Sequence, residues 1–416
     1  MENAAIGLFN SREALFCDKS LDPVIPRMET MSPGTGSLTL PVYRGEFWTA
    51  RQRQALSLHE ISYRACFKAQ LPRYFINRLS RPGDPVYDPF SGRGTTALEA
   101  ALLDRIPVAN DLNPLSETLC RPRLFLPDTA QLQTRLAEIA RRGRVARDLD
   151  LSMFYHPDTE KELLHLRRYL QGRRLSGQED HLDRWIRMVA TNRLTGHSPG
   201  FFSVYTLPPN QAVSRERQED INRKRGQAPE YRDTHTLILR KTRQLLRGVT
   251  PEIRQSLKDA GARARFLTGS AQQTPQIQDD SIQLTVTSPP FLNLVQYAND
   301  NWLRCWFNHL DPREIAGRLT VTGSLPQWRE EMRLVFGELF RITRPGGWVA
   351  FEVGEVHKKS LHLDREVIPL GLERGFTCRA LLINQQQFTK TANIWGISNN
   401  SRGTNSNRIV LFQKSA

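Results

Sequence analysis

The stretch DPVYDPFSGRGTTALEAALLDR (84–105) constrains the fold of this chain more than any other. Pro85, Val86 and Tyr87 read as a short strand. A turn of small residues follows, and a helix begins near Thr95 with ALEAALL along it. Gly92 and Gly94 let the backbone bend sharply and a ligand approach closely. RIPVANDLNP (105–114) then supplies a second short strand ending in Asp111. Strand, glycine turn, helix, strand is the opening unit of a doubly wound parallel sheet. An acid at the tip of its second strand is where such sheets grip a ribose diol. Asp88, at the end of the first strand, is placed to accept from an ammonium group. The unit predicts a nucleoside-type cofactor.

IQLTVTSPPFLN (282–293) predicts the chemistry. A β-rich strand from Ile282 to Thr287 runs into two prolines, which fix φ and supply no N–H. The chain therefore leaves the sheet stiff and extended, with its carbonyls outward. Such a shape suits an aromatic exocyclic amine, whose lone pair is delocalised into the ring. The Ser288 hydroxyl and the Pro289 carbonyl accept its two hydrogens and favour a pyramidal nitrogen, and Phe291 stacks on the flipped base.

Together DPFSGRGTT and TSPPF resemble the DNA amino-methyltransferases, which use S-adenosyl-L-methionine to make N4-methylcytosine or N6-methyladenine. HEISYRACFKAQLPRYFINRL (59–79) resembles the family's helix over the methionine end of the cofactor. SLPQWREEMRLVFGELFRITRPGGWVAFEVG (324–354) resembles its helix, Gly-Gly turn and fifth strand, and RIVLFQK (408–414) its last, reversed strand. The resemblance implies an α/β fold: a Rossmann-like doubly wound sheet with a terminal antiparallel hairpin, built from 41–120 and 264–416. It implies that Asp88, Pro89, Phe90, Gly92, Gly94 and Thr95 line the methionine moiety and that Asp111 holds the ribose. Ser288, Pro289, Pro290 and Phe291 would be the catalytic tetrad, acting by direct in-line transfer. No cysteine follows a proline, so the Pro-Cys nucleophile of carbon-5 cytosine enzymes is absent. The chain departs from the family in three ways. The cofactor turn precedes the tetrad, Ser270 stands where an acid near the adenine is common, and a long block separates the second and third strands.

That block carries the charge. The formal net charge of the chain is +15, and residues 121–265 hold 29 Lys+Arg against 17 Asp+Glu. Residues 159–170, 179–194 and 231–249 have helical apolar spacing, so 121–263 is expected to be a basic, mostly α-helical insertion that binds double-stranded DNA. Arg215, Arg217, Arg223, Lys224 and Arg225 are its densest basic cluster, with a solvated helix face as the plainer reading. Phe201, Phe202 and Tyr205, in a proline-rich loop, read as core of the block rather than as DNA-stacking groups. Residues 1–40 read as a flexible tail.

The expected function is site-specific DNA methylation, with a serine before the two prolines favouring cytosine N4 over adenine N6. The alternatives are an RNA base N-methyltransferase and an inactive DNA-binding protein on the same fold. A cognate restriction endonuclease is a further partner consistent with the family. No run of about 18 apolar residues occurs and the N-terminus lacks signal-peptide order, which predicts a cytoplasmic protein. Five scattered cysteines without a C-x-x-C, and nine histidines without metal-ligand spacing, argue against disulfides and metal catalysis.

Overall fold

The computed structural model describes residues 26–31, 37–48, 55–63, 66–206, 212–290, 297–318, 324–353, 355–356, 361–385 and 406–416. Strands β1 (Arg27–Met31) and β2 (Leu38–Gly45) come first, followed by helix α1 (Gln70–Leu79). The glycine-turn unit is β3 (Pro85–Asp88), α2 (Thr95–Leu102) and β4 (Ile106–Asp111). Seven helices then precede the next strand: α3 (Leu115–Cys120), α4 (Thr129–Glu138), α5 (Pro157–Leu175), α6 (His181–Arg193), α7 (Arg215–Arg225), α8 (Thr234–Leu245) and α9 (Pro251–Arg263). Next come β5 (Arg265–Thr268), β6 (Ile282–Thr287), α10 (Tyr297–Phe307), α11 (Pro312–Arg318), α12 (Leu325–Ile342) and β7 (Thr343–Val353). The chain closes with β8 (Glu355–Val356), β9 (Leu361–His362), α13 (Leu363–Glu373), β10 (Phe376–Gln385) and β11 (Ser406–Lys414).

Nine strands make one sheet in the order β1-β2-β10-β11-β7-β6-β3-β4-β5. From β5 to β7 every pairing is parallel, whereas β11 runs antiparallel to both β7 and β10. This is a doubly wound sheet closed by a reversed hairpin. Its order reverses between β3 and β6, and ligands of open α/β sheets bind in the crevice at the carboxyl ends of strands flanking such a switch.

Strand β7 shows why both faces are covered. Val349, Phe351 and Val353 pack in one cluster with Trp328, Phe336 and Leu339 of α12, while Trp348 and Ala350 point the other way, towards Tyr74, Phe75 and Ile76 of α1. Alternate residues are buried on opposite faces, the pattern of a strand sandwiched between helices. A third cluster unites the helical block (Leu163, Trp185, Ile238) with Leu98 and Ala101 of α2 and Leu303 and Phe307 of α10, so the block shares its core with the sheet's flank. Its helices start on side-chain caps: Asp180 in a capping box for α6, Ser214 for α7, Asp233 for α8 and Thr250 for α9.

Two local expectations change. Residues 27–31 and 38–40, expected in a tail, are strands, because β2 pairs in parallel with β10 from Val42 onward and buries Leu40 and Val42. The Pro41 nitrogen, which cannot donate, falls one residue before that ladder begins. Residues 60–63 are not helical, since Arg93 takes the carbonyls of His59 (3.1 Å) and Ile61 (2.9 Å) that a continuing helix would use.

Candidate active site

The glycine turn bends through left-handed backbone at Gly92 (φ 51°) and Gly94 (φ 75°). A Cβ on Gly94 would lie 2.1 Å from Cys120 Sγ, and one on Gly92 would lie 3.3 Å from the Tyr63 ring. No L side chain fits at Gly94, so the sharp turn and the tight approach of α3 require glycine together. From the turn α2 starts at Thr95, which is buried.

Asp88 ends β3 and is 1% exposed. It accepts from Thr287 Oγ1 (2.6 Å), at the end of β6, and from the Phe90 N–H (3.1 Å). Thr96 Oγ1 in turn donates to the Val286 carbonyl (3.1 Å). These bonds tie the glycine turn to the strand that carries Ser-Pro-Pro, across the topological switch. Burial pushes the Asp88 carboxyl up to about 7, its hydrogen bonds pull it back, and Asp111 adds to the rise. Asp111, partly exposed at the tip of β4, accepts from the Gly92 N–H (2.8 Å) and the Asn113 N–H (2.9 Å). Burial pushes it up to about 6.

Beside them Asn110 Nδ2 donates to the Gly269 (3.0 Å) and Pro89 (3.3 Å) carbonyls, while its buried Oδ1 has no partner among the described residues. Phe90 is half-buried, and Ser270, after β5, accepts from the Gln272 N–H (3.2 Å). A desolvated carboxylate pair, an orphaned acceptor and a glycine cradle form a donor–acceptor set that fits an ammonium group and a nucleoside. S-adenosyl-L-methionine has both.

Ser288 is half-buried, Pro289 buried and Pro290 exposed. The Pro290 carbonyl is taken by Trp328 Nε1 (3.1 Å), which anchors the exit of the loop to α12. Phe291 lies outside the described residues. Behind the serine stands a group that the motif does not announce: Glu352, 5% exposed, accepts from the Ser288 hydroxyl and from Asn407 Nδ2 (2.8 Å). Burial pushes its carboxyl up, and those two hydrogen bonds oppose the rise. Thr287 pairs with Phe351 in the β6–β7 ladder, so Ser288 and Glu352 meet through register alone.

The basic cluster lies apart from these residues, on α7. Arg215, Arg217, Arg223, Lys224 and Arg225 are all exposed, and Gln218 is the helix's buried residue. Arg223 pairs with Asp220 (3.3 Å), and the Arg225 guanidinium lies over the Tyr205 ring at 3.9 Å. Phe201 and Phe202 are buried. Among the described residues no group of three or more His, Cys, Asp or Glu could hold a metal ion, and no helix is long and apolar enough to cross a membrane.

Residues 35–114, from β2 through the glycine turn to the tip of β4, match the sequence profile of the N6/N4 family described as DNA methylase. A curated relative, the type II methyltransferase M.BsoBI of Geobacillus stearothermophilus, is 23% identical over 279 residues, which cover 62% of this chain and 54% of the relative. The chain thus spans about half the length of the curated relative it matches. Among solved structures, TrmN from Thermus thermophilus is 12% identical, covering 86% of this chain and 51% of that one at a TM-score of 0.33. A proposed DNA modification methylase from the same organism, solved with S-adenosyl-L-methionine, is 21% identical over 36% of this chain and 54% of its own, at a TM-score of 0.23. At such scores neither structure bears on the fold, which rests on the strand order itself.

Proposed function

We propose that the chain is an S-adenosyl-L-methionine-dependent DNA methyltransferase acting on the exocyclic amine of a flipped base, with cytosine N4 as the target. The observation that carries the reading is the 2.6 Å hydrogen bond from Thr287 to Asp88, by which the DNA methylase turn and the Ser-Pro-Pro share one crevice. Asp88 holds the cofactor's ammonium, Asp111 its ribose, and Pro89, Phe90, Gly92, Gly94 and Thr95 line the methionine arm. When bound, the cofactor supplies an electrophilic methyl group. The chain supplies position and proton handling. Ser288 Oγ and the Pro289 carbonyl accept the two amine hydrogens and so expose the nitrogen lone pair. Glu352 orients the Ser288 hydroxyl so that its lone pairs face the amine. With the sulfur–methyl bond of the bound cofactor breaking as the N–C bond forms, Ser288 Oγ would take the amine proton and Glu352 the Ser288 proton.

Incubation with DNA and cofactor carrying a labelled methyl group, followed by nucleoside analysis, tests this. The label is expected in N4-methylcytosine, and Ser288→Ala is expected to abolish transfer while cofactor still binds. Label in N6-methyladenine would move the target base, label in RNA the polymer. Cofactor binding with no transfer to any nucleic acid would leave a DNA-binding protein on this fold.

A further inference from the structure

A seam between the helical block and the sheet's flank gathers four cations, of which Lys241 alone is ion-paired, to Glu60, among the described residues. Arg193, the last residue of α6, and Arg304 of α10 are 8% and 5% exposed. Among the described residues neither has a carboxylate within ion-pair distance. Both converge on one joint. Arg193 Nη2 donates to Asn192 Oδ1 (3.3 Å), which also accepts from the Ser62 N–H (3.0 Å). Arg304 Nη2 donates to the Ser62 carbonyl (3.2 Å), which also accepts from Asn192 Nδ2 (3.1 Å). Arg193 Nε takes the Asn192 carbonyl and Arg304 Nη1 takes Asn301 Oδ1, and the Arg193 guanidinium lies over the Phe201 ring at 4.0 Å, so their partners are neutral groups. On α8, Lys241, 5% exposed, donates to Gln244 Oε1 (3.2 Å) and pairs with Glu60 at 3.7 Å, and Arg240 beside it is exposed. Burial and mutual repulsion push Arg193 down to about 10 and Lys241 to about 8.

Buried cations that face only neutral partners are costly, and an incoming anion offsets that cost. The seam also has an address. Ser62 precedes Tyr63, whose ring lies against Gly92 of the cofactor turn, and Arg304 stands on the helix that follows Ser-Pro-Pro in the chain.

We propose that Arg193 and Arg304, with Lys241 and Arg240 beside them, form a seat for a backbone phosphate of the DNA strand whose base enters the active site. The proposal rests on the DNA methyltransferase reading. Two buried guanidinium forks and two further cations exceed what one cofactor carboxylate needs and match a chain of phosphates.

The test is DNA binding measured across salt concentrations, with S-adenosyl-L-methionine affinity measured by calorimetry on the same proteins. Arg193→Gln and Arg304→Gln are each expected to weaken DNA binding roughly tenfold. Each is also expected to lower the slope of log affinity against log salt by about 0.9. Cofactor affinity is expected to stay at the wild-type value. An unchanged slope in variants that bind cofactor normally would overturn the seat, as would lost cofactor affinity at an unchanged slope, which would assign the arginines to the cofactor carboxylate. Should either buried substitution unfold the chain, the exposed Arg240→Gln decides by the same slope. A wild-type chain that binds no DNA at any salt would overturn the DNA reading itself.

Discussion

On the proposed reading, Asp88 shows how a single residue is prepared for an incoming ammonium group, and Asp111 for a ribose diol. Both are acids whose folded pKa values, about 7 and about 6, lie above the ordinary carboxylate range. A raised acid favours the protonated fold, so the cofactor-free protein loses stability as pH rises through these values, and a bound cation restores it. Cofactor binding is therefore expected to tighten as pH rises from about 5.5 to 8, by up to roughly tenfold per unit below the Asp88 value. Asp88→Asn is expected to weaken binding and flatten the profile, as read by calorimetry. A flat wild-type profile would contradict the assignment. At Gly94 the constraint is steric: Gly94→Ala is expected to cost about 3 kcal/mol in urea unfolding, since its Cβ would overlap Cys120 and its φ is left-handed. Glu352→Gln keeps the shape behind Ser288 but removes the proton acceptor. Its expected effect is a fall in kcat of roughly a hundredfold with cofactor affinity unchanged. An unchanged kcat would make Glu352 a packing residue.

At the scale of elements, the legible parts were those whose signal is local. The glycine turn, the strand ends at Asp88 and Asp111 and the break after Thr287 each lie within about ten residues of chain, and the matching elements begin and end there. The less legible parts depend on residues far apart in sequence. Glu352 meets Ser288 only because β6 and β7 pair in one particular register. The start of strand β2, residues 38–40, reads as tail because its partner, β10, comes more than three hundred residues later and Pro41 weakens its pattern. Arg93, in the middle of the turn motif, is buried on the carbonyls of His59 and Ile61, more than thirty residues earlier in the chain. Helix α7 makes the opposite case, since its five basic residues are exposed and it buries Gln218. Replacing Arg215, Arg217, Arg223, Lys224 and Arg225 with glutamine is expected to change stability by under about 0.5 kcal/mol per residue. The salt dependence of DNA binding is expected to flatten. An unchanged salt slope would leave α7 as a solvated face.

Across the whole molecule, charge and core divide the labour. The block from 121 to 265 carries 29 of the 58 basic residues but 17 of the 43 acids, while the sheet that bears the crevice is nearly balanced. The block is not a loosely tethered module, because Leu98, Ala101, Leu303 and Phe307 of the sheet's flank share its hydrophobic cluster. On the proposed reading, substrate capture and chemistry are therefore built on one continuous core. The most direct measurement is methyl transfer from labelled cofactor to DNA by the wild-type chain and by Ser288→Ala, with cofactor binding measured on both. Label on a base amine is expected for the wild type and none for Ser288→Ala, with equal cofactor affinity. Full transfer by Ser288→Ala would contradict it.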